Sequence, residues 1–400
     1  MHNRGASATV GPGRLAFVDL MRLAAIASVV VIHLYHYYGA TTNVDVIGLV
    51  AINAFFVLSG FLLSNPYLNA ILKPNVALPL WREYATRRFL RLYPLYSLVV
   101  VTTAAPFLFA HRHHGVSPAD VIAHLTFTHG FFPAYAQSAF NVPLWTMAVE
   151  VQFYIILPIA GFVLYYMSRK MSRAGRRNLI VGSIVASAAL SLIFRAIVYK
   201  YTSAIEDLEV GIVYARNAIG CAGGFALGIG IALAKIEGVR PSRLASSGFI
   251  LLSIGCCAWI AASGAQTSNL YGVHVAYDFV CAIAAAAILF GVGLGDFPEL
   301  HTIANLPIIT WAASISFGIY CFHKPFSLLA IHIFSHRLHP GSILYGLAVT
   351  ALTLGLTIPV ATLTYRFVEV PFLKKKRLFE GPPVSVEAET GTAAAQSSFA

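Results

Sequence analysis

Long apolar stretches, separated by short polar connections, follow one another along almost the whole chain. A helix of roughly 20 mostly apolar residues crosses the hydrocarbon core of a bilayer, and ten stretches approach that length. The pattern therefore predicts an all-α fold, a polytopic transmembrane helix bundle of about ten spans. The predicted spans are 17–38, 45–64, 90–110, 144–167, 179–199, 213–234, 246–264, 275–295, 303–324 and 342–366.

The first span, FVDLMRLAAIASVVVIHLYHYY, carries four ionisable residues within its apolar sequence. At about 100° per residue, Asp19, Arg22, His33 and His36 fall within an arc of roughly 100° on one helical face. Ionisable groups inside a membrane usually face the protein interior or a wet cavity. We therefore expect this face to point into the bundle, as part of a functional site or as a polar stripe that joins helices.

Composition supports a membrane protein and limits the function classes. Only 11% of the residues are charged, against about 25% in soluble domains. The net charge of +11 comes mostly from Lys and Arg in the connections, which indicates topology and lipid-surface contact and not nucleic-acid binding. The five cysteines lie in apolar segments without metal-ligand spacing, so neither a disulfide framework nor a zinc site is predicted.

Basic connections alternate with acidic or uncharged ones along the chain. The positive-inside rule then predicts that both termini are cytoplasmic. We expect a cytoplasmic N-terminal segment at 1–14, a transmembrane domain at 15–373, and a basic, then disordered, cytoplasmic tail at 374–400. The apolar segment after residue 14 is too long and too charged for a cleaved signal peptide, so it is predicted to be a retained first helix.

Predicted topology and a rise of about 1.5 Å per residue place several polar residues at similar depths. His33 and Glu150 both map to the outer half, where they are expected to be able to meet, and His323 maps to the same half. Glu150 and His323 each have a structural alternative: Glu150 as a carboxylate bonded to a neighbouring helix, and His323 as a capping or interfacial histidine.

A second group of polar residues maps to the cytoplasmic side. Arg88 and Arg91 share one helical face, which suits a phosphorylated ligand, although anchoring on lipid phosphates is an alternative. Ser59 and Gly60 form a small pair that permits close approach of a helix or a ligand. Glu369 could pair with an arginine there.

Three histidines in one connection form a further candidate cluster. His111, His113 and His114 could bind a metal, but a titrating surface loop is the favoured interpretation, and no metal site is predicted.

Six segments together resemble the acyltransferase 3 family of integral-membrane acyltransferases. They are DLMRLAAIASVVVIH, FFVLSGFLL, RRFLRLYP, PLWTMAVEVQFYIILP, SFGIYCFHKPF and YRFVEVPF, and the resemblance runs from about Leu15 to Leu373. Two family patterns fall on Arg22 followed eleven positions later by His33, and on the pair Arg88 and Arg91.

The resemblance implies transfer of an acyl group, commonly acetyl, from cytoplasmic acyl-CoA. The acceptor would be a hydroxyl of a carbohydrate or of another envelope or secreted molecule. The coenzyme would lie near the arginine pair, and the histidine of the first helix would be essential. Some members carry an extra helix and a C-terminal esterase-like domain, which we expect this chain to lack because it ends at Ala400.

The chemistry of the residues fits that implication. A hydroxyl is a poor nucleophile near neutral pH and needs a base, a role that histidine suits. We hypothesise His33 as general base, Glu150 as its orienting partner and Arg22 as the group that favours the developing oxyanion or thiolate. Direct transfer and an acyl-His33 intermediate both remain open. The coenzyme-binding residues would be Arg88, Arg91 and Ser59, with supporting roles for Asp19, His36, Tyr154, His323 and Glu369.

Two other classes of function compete with this hypothesis. A transporter or flippase for a glycan precursor would also have polar residues inside a helix bundle, and a catalytically inactive membrane scaffold is a third class. The absence of an internal repeat and the presence of the arginine pair favour the enzyme. The partners expected are therefore acyl-CoA, a carbohydrate or small-molecule hydroxyl acceptor and membrane lipids, in a bacterial inner membrane.

Overall fold

The computed structural model describes residues 16–39, 45–73, 75–109, 116–136, 141–204, 208–263, 271–295 and 297–377. These residues contain helices and no strand, which confirms the all-α prediction. The α-helices are α1 (Ala16–Tyr35), α2 (Asp45–Leu72), α3 (Trp81–Phe109), α4 (Pro118–Leu125), α5 (Pro133–Ala136), α6 (Trp145–Ser168), α7 (Arg173–Ala204), α8 (Leu208–Ala215), α9 (Ala222–Ile236), α10 (Arg243–Ser263), α11 (Tyr271–Gly291), α12 (Pro298–Ala304), α13 (Pro307–Phe334), α14 (Ile343–Thr364) and α15 (Val370–Arg377).

Within the described residues, nine helices are long and apolar enough to cross a membrane, so the polytopic helical bundle is confirmed. The predicted span 213–234 differs, because it is divided between α8 and the short apolar helix α9. The Asn217 side chain accepts hydrogen bonds from the amides of Ile219, at 2.9 Å, and Gly220, at 3.0 Å. These bonds occupy backbone donors that a continuous helix would use, so the chain turns between α8 and α9.

Helix α1 presents opposite faces to lipid and to protein. Its exposed positions include Ala24, Ala27 and Val31, of which Val31 is 61% exposed. At about 100° per residue they are centred roughly opposite the ionisable face predicted from the sequence. The expectation that this face points into the bundle is therefore confirmed.

Glycines allow α2 and α9 to pack with their backbones in contact. A Cβ atom added to Gly60 would collide with the carbonyl oxygen of Phe225, and one added to Gly228 would collide with that of Val57. The sequence predicted that the Ser59–Gly60 pair permits close approach of either a helix or a ligand, and Gly60 permits the approach of helix α9.

Two predicted features lie outside the described residues. These are the histidine triplet at 111–114 and the terminal segments 1–14 and 378–400.

Candidate functional site

Two histidines from α1 and α13 meet inside the bundle. The Nδ1 atom of His33 lies 2.9 Å from the Nε2 atom of His323, and the two rings are nearly parallel at 10°, with centroids 5.1 Å apart. His323 is 1% exposed, whereas His33 keeps part of its surface accessible. We call His33 and His323 the histidine pair.

The hydrogen bonds of His323 determine which ring nitrogens carry protons. Its Nδ1 atom lies 2.7 Å from the backbone oxygen of Tyr320, and a carbonyl can only accept, so this nitrogen carries the hydrogen. In a neutral ring the Nε2 atom of His323 is then an acceptor, and the His33 Nδ1–H group must donate to it. The Nε2 atom of His33 is left unprotonated and makes no hydrogen bond within the described part of the chain.

The backbone that carries His323 is anchored to the segment before α6. Pro325 lacks an amide hydrogen, so it leaves the carbonyl of Cys321 without its helical partner. The side chain of Asn141 donates to that carbonyl at 3.0 Å. The hydroxyl of Tyr320 donates to the carbonyl of Pro143 at 2.8 Å. The hydroxyl of Thr146 lies 2.7 Å from the hydroxyl of Tyr320. These contacts fix the position of the histidine pair from the α13 side.

A lysine lies directly beside the histidine pair. The ammonium group of Lys324 donates to the hydroxyl of Tyr37 at 3.3 Å and lies 5.9 Å from the centre of its ring. The same hydroxyl is 3.4 Å from Ser327 Oγ. Lys324 is within electrostatic reach of both imidazoles.

The expected pairing of His33 with Glu150 is not formed. Glu150 Oε1 accepts instead from the hydroxyls of Ser59, at 3.0 Å, and Tyr154, at 2.6 Å. The reason is helix adjacency: α1 packs against α2 and α13, whereas α6 packs mainly against α2. A similar depth in the membrane does not make two helices neighbours. Ser59 therefore holds Glu150 in place.

Three arginines lie near Tyr154 and Glu150 at the other end of the bundle. They are Arg22, Arg88 and Arg91, and we call them the arginine cluster. The guanidinium of Arg88 lies 5.7 Å from the ring centre of Tyr84 and 5.8 Å from that of Tyr154. Its Nε atom is buried and has no hydrogen-bond partner among the residues that the structure describes.

Arg22 and Arg91 complete the cluster. Arg22 donates to Asp19 at 3.2 Å and is within electrostatic reach of Arg91 and Glu150. Arg91 is exposed and forms no ion pair within the described residues. The structure thus brings together most of the residues that the sequence predicted on the cytoplasmic side.

Glu369 lies in a π-helical segment, Tyr365–Glu369, between α14 and α15. Its side chain is within electrostatic reach of Arg91, as expected, but forms no ion pair with it. Glu369 is 8% exposed, and its Oε1 atom is buried and has no hydrogen-bond partner in the described part of the chain. Single π-turns are frequent at functional sites, and this one adds a carboxylate beside the arginine cluster.

Tyr154 links Glu150 to the arginine cluster. Its hydroxyl donates to Glu150 Oε1 at 2.6 Å, and its ring centre lies 5.8 Å from the Arg88 guanidinium. Along α1, Arg22 and His33 are eleven residues apart, or roughly 16 Å. His36, in contrast, is exposed just beyond the end of α1. A surface cleft of about 440 Å³ beside Tyr67 and Trp81 is lined by none of the predicted site residues.

Several residues of the site were not predicted from the sequence. Tyr320 and Ser327 stand three before and four after His323. These spacings put each of them on the same helical face as its histidine, so the signal was present in the sequence. Arg216, whose guanidinium lies 4.6 Å from the ring centre of Trp145, had no such signal because it follows the break after α8.

Membrane-length apolar helices that enclose the histidine pair and the arginine cluster define an integral membrane protein. A family model described as an acyltransferase domain matches residues 15–362, so the chain belongs to the acyltransferase 3 family. The resemblance stated from the sequence is therefore confirmed.

Three curated proteins are similar in sequence. The peptidoglycan O-acetyltransferase OatA of Listeria monocytogenes is 24% identical over 370 residues, which cover 89% of this chain and 55% of OatA. YrhL of Bacillus subtilis, whose name gives the same activity provisionally, is 24% identical over 375 residues, 88% of this chain and 54% of YrhL. An uncharacterized protein of Haemophilus influenzae is 26% identical over 127 residues, 29% of this chain and 51% of that protein.

The chain spans about half the length of each of these relatives. No solved structure gives a significant match.

Proposed function

We propose that this protein is an integral-membrane O-acyltransferase. It would move an acyl group, acetyl in the simplest case, from acyl-CoA bound at the arginine cluster to a carbohydrate hydroxyl near the histidine pair. The observation that carries the proposal is the hydrogen-bond chain that leaves Nε2 of His33 as a free proton acceptor. The names of two relatives, which give peptidoglycan O-acetylation, support an acetyl group and a carbohydrate acceptor.

Arg88 and Arg91 suit the phosphates of the donor because neither guanidinium forms an ion pair with a carboxylate of the described residues. A guanidinium forms strong, paired hydrogen bonds with phosphate oxygens, and the buried Nε atom of Arg88 has a donor hydrogen to offer. Arg22 lies deeper and is already bonded to Asp19, so its proposed role is electrostatic. Ser59 is proposed to position Glu150 and not to contact the coenzyme.

In the proposed direct transfer, His33 Nε2 takes the proton of the acceptor hydroxyl. At the same time the hydroxyl oxygen of the acceptor forms a bond to the acyl carbon of the thioester. The carbon–sulfur bond then breaks, and His33 returns the proton to the sulfur, so that coenzyme A leaves as a free thiol. His323 accepts the Nδ1–H hydrogen bond throughout and stabilises the imidazolium, the role that a carboxylate has in a hydrolase triad. The donor's thioester must reach roughly 16 Å beyond Arg22 along α1.

The alternative of an acyl-His33 intermediate uses the same nitrogen as nucleophile. Rapid mixing with labelled acyl-CoA, without acceptor, separates the two routes. Direct transfer leaves the protein unlabelled, whereas an intermediate labels wild type and not His33→Ala.

The activity test compares purified wild type with His33→Ala, using His336→Ala as a matched control because His336 is exposed. We expect His33→Ala to lower acceptor-dependent coenzyme A release by about 10²- to 10⁴-fold, the usual contribution of a general base. His336→Ala should keep wild-type activity. Normal activity in His33→Ala would end the assignment, and no thioester cleavage by wild type would favour a transporter.

The donor site has a separate test. Arg88→Ala/Arg91→Ala should weaken coenzyme A binding, measured by isothermal titration in nanodiscs. The control is Arg82→Ala, an exposed arginine in the first turn of the same helix. Equal affinities for the three proteins would remove the arginines from the donor site.

A further inference from the structure

Lys324 carries a positive charge that is not balanced by any carboxylate among the side chains that the structure describes. Its one hydrogen bond within the described residues goes to the neutral hydroxyl of Tyr37. A lysine inside a membrane-spanning helix is costly, and such residues usually pair with an opposite charge or mark a substrate pathway. Contact with the Tyr37 ring at 5.9 Å offsets only a small part of that cost.

The position of this ammonium relative to the reacting nitrogen follows from Tyr37, which lies in the 3₁₀ turn His36–Tyr38 directly after α1. Tyr37 stands four residues after His33, or roughly 6–7 Å further along the helix axis. Lys324 therefore lies on the side of the histidine pair that faces away from the arginine cluster. A group bound by Lys324 would be about one sugar ring from a hydroxyl bound at His33.

The surroundings of Lys324 provide a further polar contact for a bound anion. The hydroxyl of Ser327 donates to the backbone carbonyl of Lys324 at 2.8 Å, whereas the hydroxyl of Tyr37, which accepts from the Lys324 ammonium, still has its own hydrogen to donate. An anion that accepts from the Lys324 ammonium and the Tyr37 hydroxyl would form charge-assisted hydrogen bonds, which are about twice as strong as neutral ones.

From this geometry we propose that the acceptor is anionic and that Lys324 binds its negative charge, a carboxylate or a phosphate, close to the hydroxyl that is acylated. The inference rests on the proposed acyltransferase function and adds a substrate class to it. Lys324 is thereby a specificity-determining residue, distinct from the proton acceptor His33.

The first experiment needs no variant of Lys324. Cells that express wild type or His33→Ala are grown with labelled acetate, and their secreted and envelope material is separated by anion exchange at neutral pH. Label that depends on His33 should elute with anionic material. Phosphatase treatment and carbodiimide coupling of that fraction distinguish phosphate from carboxylate. Label confined to neutral material would overturn the inference, whereas no His33-dependent label at all would count against the proposed function itself.

The second experiment compares Lys324→Met, Lys324→Arg and Arg337→Met in nanodiscs with the anionic fraction as acceptor. Arg337 is an exposed cation in the connection after α13 and controls for general electrostatic attraction. Lys324→Met should raise the acceptor KM by about 10- to 100-fold, the loss of one charge-assisted hydrogen bond. Its effect on the acceptor KM should exceed any effect on kcat, and coenzyme A affinity should be unchanged, while Lys324→Arg and Arg337→Met should resemble wild type.

Two results of this comparison would overturn the inference. A fall in kcat at constant acceptor KM would mean that the ammonium acts on the reacting oxyanion and not on the acceptor's charge. An unchanged KM would mean that Tyr37 alone accounts for the position of Lys324. Coenzyme A affinity reports correct folding of each variant independently of the acceptor.

Discussion

Replacing His323 by Phe tests the hydrogen-bond chain on which the proposed proton transfer depends. His323 Nε2 accepts the hydrogen of His33 Nδ1 at 2.9 Å, and no other group bonds to that nitrogen in the described residues. In His323→Phe the ring stacking can persist, but the acceptor is lost. His33 can then carry its hydrogen on Nε2, the nitrogen that must remain free, and its imidazolium loses a partner.

The size of the effect follows from that one hydrogen bond. A hydrogen bond to a charged group contributes about 1.5–3 kcal/mol, and about 1.4 kcal/mol corresponds to a factor of ten in rate. We therefore expect kcat to fall by about 10- to 100-fold, with the KM for acyl-CoA unchanged because the arginine cluster is intact. The assay is acceptor-dependent coenzyme A release by protein of matched abundance.

The His323→Gln variant serves as the partial-rescue control. The amide oxygen of Gln can accept from His33 Nδ1, so this variant should lose less activity than His323→Phe. The double variant with His33→Ala should lose no more than His33→Ala alone, because residues that act as a unit are not additive. A His323→Phe enzyme with kcat within twofold of wild type would refute the reasoning.

Two further predictions concern stability. Burial lowers the pKa of His129 to about 3, and the stacked ring of His124 is a second cause. Because the unfolded chain then binds a proton more readily than the folded protein, the free energy of unfolding should fall as the pH drops below about 6.5. The loss should be about 2 kcal/mol at pH 5. Thermal unfolding from pH 7 to 5 should show a weaker pH dependence in His129→Phe than in wild type or in the exposed-site variant His336→Gln, and equal slopes would contradict this. Gly228→Ala should destabilise the protein by about 1–3 kcal/mol because the added Cβ meets the Val57 carbonyl. The control Gly182→Ala, which has open space around it, should be neutral or stabilising. Equal unfolding temperatures for the two variants would refute the close packing of α2 and α9.

The fold and the inward face of α1 could be predicted because both depend on local periodicity. Apolar length determines whether a helix can span a membrane, and the 100° repeat placed Asp19, Arg22 and His33 on one face. The partner of His33 could not be obtained in this way. Depth places His33 near both Glu150 and His323, and only the packing of α1 against α13 selects His323.

Other parts of the site depend on interactions between distant segments. The division between α8 and α9 requires Asn217 to bond its own following amides and Ala218 to donate to Gln152 of α6, at 2.9 Å. The position of Glu369 depends on a π-turn, which no apolar pattern indicates. In contrast, the arginine cluster was predicted nearly complete because topology alone brings basic residues to one side of a membrane.

Pro325 has a mechanical consequence for the two residues that precede it. The carbonyl that it releases is held by Asn141, a side chain from before α6, so the alignment of His323 and Lys324 is set by a separate part of the chain. A ligand that displaced residues 141–146, the segment that leads into α6, would shift the side chains of His323 and Lys324 together. Binding of a ligand at residues 141–146 would then be coupled to proton transfer at His33 through the Asn141 amide and the contacts of Tyr320.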